Sequence, residues 1–174
     1  MNMKLVPISG ASVVPCIPGT GPRIDDPALH VQRMLDSFRH FLKRELIDRT
    51  GSPEEQAERL FNASFVIASH GTEKIPIFNY GNQKALDLFE MTLGDFTNME
   101  SRKSAEPMNQ EERERFLKQV TENGFIENYS GVRISSTGKR FKVENVAVWN
   151  LLDENGNRCG QAATFDKWIP IPKV

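Results

Sequence analysis

Three histidines and two cysteines in 174 residues leave this sequence little nucleophilic or metal chemistry to draw on. His70 and Glu73 stand in the stretch His70-Gly71-Thr72-Glu73-Lys74, where imidazole and carboxylate form a candidate proton-transfer pair. No third group that would orient such a pair is recognisable. His30, His40 and His70 lack the spacing of metal ligands, and Cys16 and Cys159 make no zinc pair. Neither a Gly-x-Ser-x-Gly elbow nor a phosphate loop ending in Gly-Lys-Ser/Thr occurs. No catalytic residue and no metal site is therefore assigned. What remains is a set of polar side chains standing among apolar ones: Asn145, Gln161, Tyr80, Tyr129, Trp149 and Arg133. Once buried, such groups need partners, because an unpaired amide in a core costs about 1–3 kcal/mol. For Asn145 and Gln161 the partner is either a neighbouring protein group or a ligand. The rings of Tyr80, Tyr129 and Trp149 serve as core aromatics with one satisfied polar atom, or as pocket walls. Arg133 pairs with an acidic ligand, or equally with Glu127, Glu144 or Asp166.

These residues are positioned by elements that the sequence marks clearly. Residues 1–25 form a Pro/Gly-rich leader, without an acidic residue through position 24, that suits no regular element. Residues 26–62 read as a helical cap. Asp26-Pro27 caps a helix over about 27–47, in which Val31, Met34, Leu35, Phe38, Phe41 and Leu42 recur at helical spacing. Met34, Phe38 and Phe41 on that stripe are candidate dimer-interface residues. Ser52-Pro53-Glu54-Glu55 opens a second helix.

Residues 63–170 read as the main domain. Phe65–Ser69 and Ile75–Tyr80 form a first hairpin, with Pro76 confining the second strand to an edge or to its own start. Short helices follow around Leu86 and Leu93, then a longer one opened by Asn109-x-x-Glu112, with Phe116, Leu117 and Val120 inward. The mixed charges from Glu111 to Lys118 read as its solvated side. Three strands complete the chain: Phe125–Ser135, Arg140–Leu152 and Cys159 to about Trp168, the last two joined by an Asn-Gly turn. On strict alternation, Phe141, Val143, Asn145, Ala147, Trp149 and Leu151 share one face. The first strand is apolar on both faces, so the sheet needs a cover on each side: the helical insert on one, helix 27–47 on the other.

Composition narrows the class. Hydrophobic residues at 39% and charged residues at 26% are globular values. A formal charge of −1 lacks the electrostatic footprint of a general nucleic-acid binder, and no apolar run is long enough to span a bilayer. A soluble, cytoplasmic protein is expected, with organelle targeting by the acid-free leader as the weaker alternative.

Several stretches carry a family resemblance. Ile77-Phe-Asn-Tyr-Gly-Asn-Gln-Lys-Ala-Leu-Asp-Leu-Phe89 resembles the strand, Asn-bearing turn and helix of the PAS superfamily. Ser69-His-Gly71, Pro76-Ile-Phe-Asn-Tyr-Gly-Asn82, Ser104-Ala-Glu-Pro107, Tyr129-Ser-Gly-Val-Arg-Ile-Ser-Ser-Thr-Gly138, Ala147-Val-Trp-Asn-Leu151 and Gly160-Gln-Ala-Ala-Thr-Phe165 are similar to the PAS-related MEKHLA domain, over about residues 27–170. Members of that family stand alone in microbes, or close plant class III homeodomain–leucine zipper transcription factors; neither homeodomain nor zipper occurs in these residues. The resemblance implies an α+β fold, a PAS-like five-stranded antiparallel sheet with short helices on one face and an N-terminal helical cap. It also implies a sensory or regulatory module that binds a small molecule or a partner protein. Flavin-binding PAS relatives use a glutamine on the last strand, which adds weight to Gln161. Their photoreactive Asn-Cys-Arg motif has no counterpart here, so flavin photochemistry is not expected and the cofactor stays open.

The leading expectation is thus a PAS-like sensory module without catalysis, taking a ligand at Asn145, Gln161, Trp149, Tyr80, Tyr129, Arg133 and His70. The alternatives are a filled-core subunit that dimerises through its N-terminal helix and, more weakly, a small-molecule enzyme using the His70 region.

Overall fold

Helix α1, Pro27–Leu42, begins where its cap requires: Asp26 Oδ1 accepts from the Leu29 amide at 3.1 Å, and Pro27 has no amide to leave unpaired. The computed structural model describes residues 26–173, so the leader with Cys16 lies outside the described residues. The helix is shorter than its apolar spacing predicts. Lys43 turns left-handed at φ 58° and its amide bonds Arg39 O at 3.0 Å, which closes the last turn at Leu42. Helix α2, Pro53–Phe61, is capped by Ser52, whose hydroxyl accepts from the Glu55 amide at 3.1 Å.

Strands β1 (Val66–His70) and β2 (Phe78–Gly81) form the first hairpin. Then come α3 (Gln83–Phe89), α4 (Leu93–Phe96), a 3-10 turn at Ser101–Ser104 and α5 (Pro107–Asn123). The chain closes with β3 (Phe125–Ile134), β4 (Arg140–Leu152), β5 (Arg158–Phe165) and β6 (Lys167–Ile171). All pairings are antiparallel, in the order β2-β1-β5-β4-β3. Strand β2 is an edge and starts past Pro76, as the missing proline amide demands.

A sixth strand is added to the five expected. The last strand was expected to run unbroken to about Trp168. Instead the chain breaks between Phe165 and Lys167, and β6 pairs with the first half of β4, from Arg140 to Glu144. Among the described residues β6 pairs with β4 alone, so Pro170 is tolerated without a second ladder to feed.

Both faces of the sheet are buried, each by the cover the sequence implied. On one face Ile67, Ala147, Trp149, Leu151 and Ala162 meet Val31, Met34, Leu35 and Phe38 of α1. On the other, Val66, Val143, Val146, Val148 and Phe165 meet Ala85, Phe89, Phe96 and Val120 of the helical insert. Strict alternation along β4 fails at Asn145. That residue sits at φ 53°, and the pairing of β3 with β4 is irregular on both sides of Tyr129, opposite Val146. Asn128 on β3 is left-handed too, at φ 59°. Asparagine tolerates this conformation better than most side chains. The result reverses the expected faces: Phe141 and Val143 share theirs with Val146 and Val148, while Ala147, Trp149 and Leu151 turn to α1.

Among the described residues, no helix is long and apolar enough to cross a membrane.

Candidate functional site

Between the sheet and α5 lies a cavity of about 80 Å³, walled mainly by Val66, Phe89, Val143, Val146, Val148 and Phe165. Four of the residues singled out by sequence line it: His70 at the end of β1, Tyr129 and Arg133 on β3, and Gln161 on β5. Gly131 lets two of them meet, since a Cβ there would approach the Tyr129 hydroxyl to 2.7 Å and Arg133 Nη1 to 3.1 Å. Arg133 Nη2 donates to the Tyr129 hydroxyl at 3.3 Å, and Nη1 to Val132 O at 2.9 Å. Among the described residues it pairs with none of its three expected acidic partners: Glu127 pairs with Arg44, Glu144 with Lys142, and Asp166 forms no ion pair with it.

Gln161 is buried and half satisfied. Its Nε2 donates to Thr121 Oγ1 at 2.9 Å, with Leu117 O and Asn150 Oδ1 each at 3.2 Å, while Oε1 has no partner. His70 is similar. Its Nδ1 faces Gly71 O at 2.8 Å, and a carbonyl only accepts, so Nδ1 carries the proton. The neutral ring then presents Nε2 as an acceptor, buried and unpaired. Burial holds His70 down to about 4, with Arg113 and Arg158 pushing the same way and the Gly71 bond opposing. No hydrogen bond joins His70 to Glu73 among the described residues, so the expected proton-transfer pair is not assembled.

The residue that sequence reasoning missed is Arg113. Its neighbours from Glu111 to Lys118 suggested a solvated helix side, yet Arg113 is only 8% exposed and lines the cavity. Burial, with the like charge of Arg133, pushes its guanidinium down to about 10. No ion pair or hydrogen bond holds it among the described residues. The signal was periodicity: position 113 stands three and four residues before Phe116 and Leu117, on the stripe that ends at Val120.

Three other candidates lie elsewhere. Asn145 is exposed, because its left-handed backbone turns it out of the face that alternation assigned to it. Trp149 and Tyr80 belong to the core on the α1 side of the sheet; Trp149 Nε1 donates to Met34 O at 3.1 Å, and the Tyr80 hydroxyl is buried without a partner. The polar group that replaces Asn145 is Asn150, buried, with Nδ2 donating to Val120 O at 2.9 Å and Oδ1 receiving Arg158 Nε at 3.2 Å. The interface candidates also point inward. Met34 and Phe38 are covered by the sheet, and the half-buried Phe41 packs beside Phe125.

His30 and His70 set a pH dependence. Burial, helped by Arg33, holds His30 down to about 4 as well, where Nε2 meets Ser69 Oγ at 2.8 Å. The unfolded chain takes up these protons near the ordinary 6.5, whereas the fold resists them down to about 4. This stability is complete above the unfolded value, drains as pH falls through that window and levels off below the folded value. Urea unfolding is expected to show a loss of about 2–4 kcal/mol between pH 7 and pH 5. The His30→Gln, His70→Gln double variant should flatten that loss, and an unflattened curve would contradict the assignment.

Comparison with known proteins supports the architecture. The PAS domain of a protein from Colwellia psychrerythraea gives a TM-score of 0.57 at 13% identity, covering 68% of this chain and 95% of that one. An RNA-binding light-oxygen-voltage receptor gives 0.58 at 13% identity, covering 72% and 35%. Such likeness shows the fold, which is PAS-like. Among curated proteins, homeobox-leucine zipper protein HOX29 of Oryza sativa subsp. japonica is 26% identical over 161 residues, covering 87% of this chain and 18% of its own length. Homeobox-leucine zipper protein ATHB-15 of Arabidopsis thaliana is 23% identical over 136 residues, covering 78% and 16%. The chain therefore spans less than a fifth of these relatives. A family model for the MEKHLA domain matches residues 28–170, all of the sheet and its helical covers but Pro27 and Ile171. On that match the chain belongs to the MEKHLA domain family.

Proposed function

We propose that this PAS-like module is a sensor that binds a small molecule in the cavity between its sheet and α5, without catalysis. One observation carries the reading: two buried acceptors at the cavity, His70 Nε2 and Gln161 Oε1, have no partner among the described residues, and the largely buried Arg113 beside them makes no ion pair there. A filled core that serves only as an interaction scaffold would pair such groups internally, since each unsatisfied one costs free energy. A ligand that pairs them recovers that cost, and two of its contacts reach α5, through Arg113 directly and through the Gln161 bonds to Leu117 and Thr121. Occupancy would then bias how α5 packs on the sheet, which is the physical content of sensing here.

Native mass spectrometry of the protein purified from its own host is expected to show a retained small molecule that leaves on denaturation. A mass equal to the bare polypeptide in every preparation would overturn the reading.

A further inference from the structure

A groove of about 360 Å³ lies beside the cavity. The two share His70, Arg113, Leu117 and Gln161. Two of these four carry unsatisfied acceptors and a third, Arg113, carries a charge outside any ion pair among the described residues, and their demands differ. The Arg113 guanidinium, largely buried and acted on by Glu114 without forming an ion pair among the described residues, calls for an anion. His70 Nε2 and Gln161 Oε1 are both acceptors and call for a donor. The inner walls call for hydrocarbon, and at about 80 Å³ they enclose roughly half the space that accommodates a benzene, about 150 Å³. Outside, Lys74, Lys118 and Arg158 line the groove against Glu114 as its single acidic residue, so the approach is positive. Arg102 also lines it, with its charge met by Glu100 at 2.8 Å.

We propose that the site takes a small α-hydroxy carboxylate with a short aliphatic body. Its carboxylate accepts from Arg113, its hydroxyl donates to His70 Nε2 or Gln161 Oε1, and its carbon chain fills the inner cavity. A plain acid would leave both acceptors unpaired, and a neutral alcohol would leave Arg113 unpaired. An ammonium in place of the hydroxyl would meet the positive field of Arg113, Arg133 and Arg158. The assignment rests on the ligand-binding reading above and adds the chemical class.

The test is a titration of the full chain, followed by amide NMR shifts, with α-hydroxyisovalerate, isovalerate, isovaleramide and valine, and with xenon as a neutral filler. The hydroxy acid is expected to bind best, with isovalerate and isovaleramide successively weaker by about tenfold per lost group and valine weaker than the hydroxy acid. In Arg113→Gln, with its fold checked in the same spectra, the step between isovalerate and isovaleramide should vanish. The affinity order in the unaltered protein decides the class even if that variant fails to fold. Equal binding of acid and amide, tighter binding of valine, or a charge preference that survives in Arg113→Gln overturns the hydroxy acid and leaves a small-molecule site standing. So does a cavity that accepts xenon alone. Absence of any saturable shift, xenon included, overturns both readings.

Discussion

Trp149→Ala is expected to lower the unfolding free energy by about 3–5 kcal/mol. The indole is fully buried, donates from Nε1 to Met34 O at 3.1 Å and meets the Phe38 ring edge-on with centroids 4.9 Å apart. It is the largest side chain joining α1 to the sheet, and its removal leaves a void that rigid helix and strand backbones close only in part. The loss falls on folding rather than on ligand recognition, because Trp149 stands on the opposite side of the sheet from the cavity. Chemical denaturation monitored by circular dichroism measures it. A loss below about 1 kcal/mol would mean that α1 does not pack on the sheet as described. Trp149→Phe, which keeps most of the volume and loses the Met34 bond, should cost roughly 1–2 kcal/mol.

The second large effect belongs to Asn82. Its Oδ1 accepts from the Ile67 amide at 3.2 Å and the Ala85 amide at 3.1 Å. Its Nδ2 donates to Phe65 O at 2.8 Å and Leu60 O at 3.2 Å. One fully buried amide therefore caps α3, pins the start of β1 and ties the end of α2 to both. Asn82→Ala strands two donors and two acceptors, and a loss of about 2–4 kcal/mol is expected. Asn82→Asp separates the cap from the network. An aspartate still accepts at the helix end but cannot donate to either carbonyl and buries a charge, so it should be no better than alanine. A neutral Asn82→Asp in thermal unfolding would show that capping alone matters.

Asn82 and Trp149 also mark how far the sequence could be read. Asn82 sits in the Pro76–Asn82 stretch that carries the family resemblance, and its position before an apolar helical run announces a cap. Its four-way role was not legible, because Leu60 and Phe65 reach it only once α2 and β1 are in place. Trp149 is placed on the face of Phe141 by counting alternate residues, and that count breaks at Asn145. The same slip hid Asn150 and put Asn145 in its place. Arg113 was read by charge when its spacing from Phe116 and Val120 carried the information.

Caps, apolar spacing and turn residues are local, and from them the sequence alone determined the order of helices and of the first five strands, and that the sheet needs two covers; β6 it did not mark. Which strand face meets which cover was decided by tertiary structure. A single left-handed residue in β4, Asn145, exchanges the faces where the pairing with β3 is irregular. The cavity has the same origin: His70, Arg113 and Gln161 lie on β1, α5 and β5, and only the stacking of α5 on the sheet brings them to one cavity.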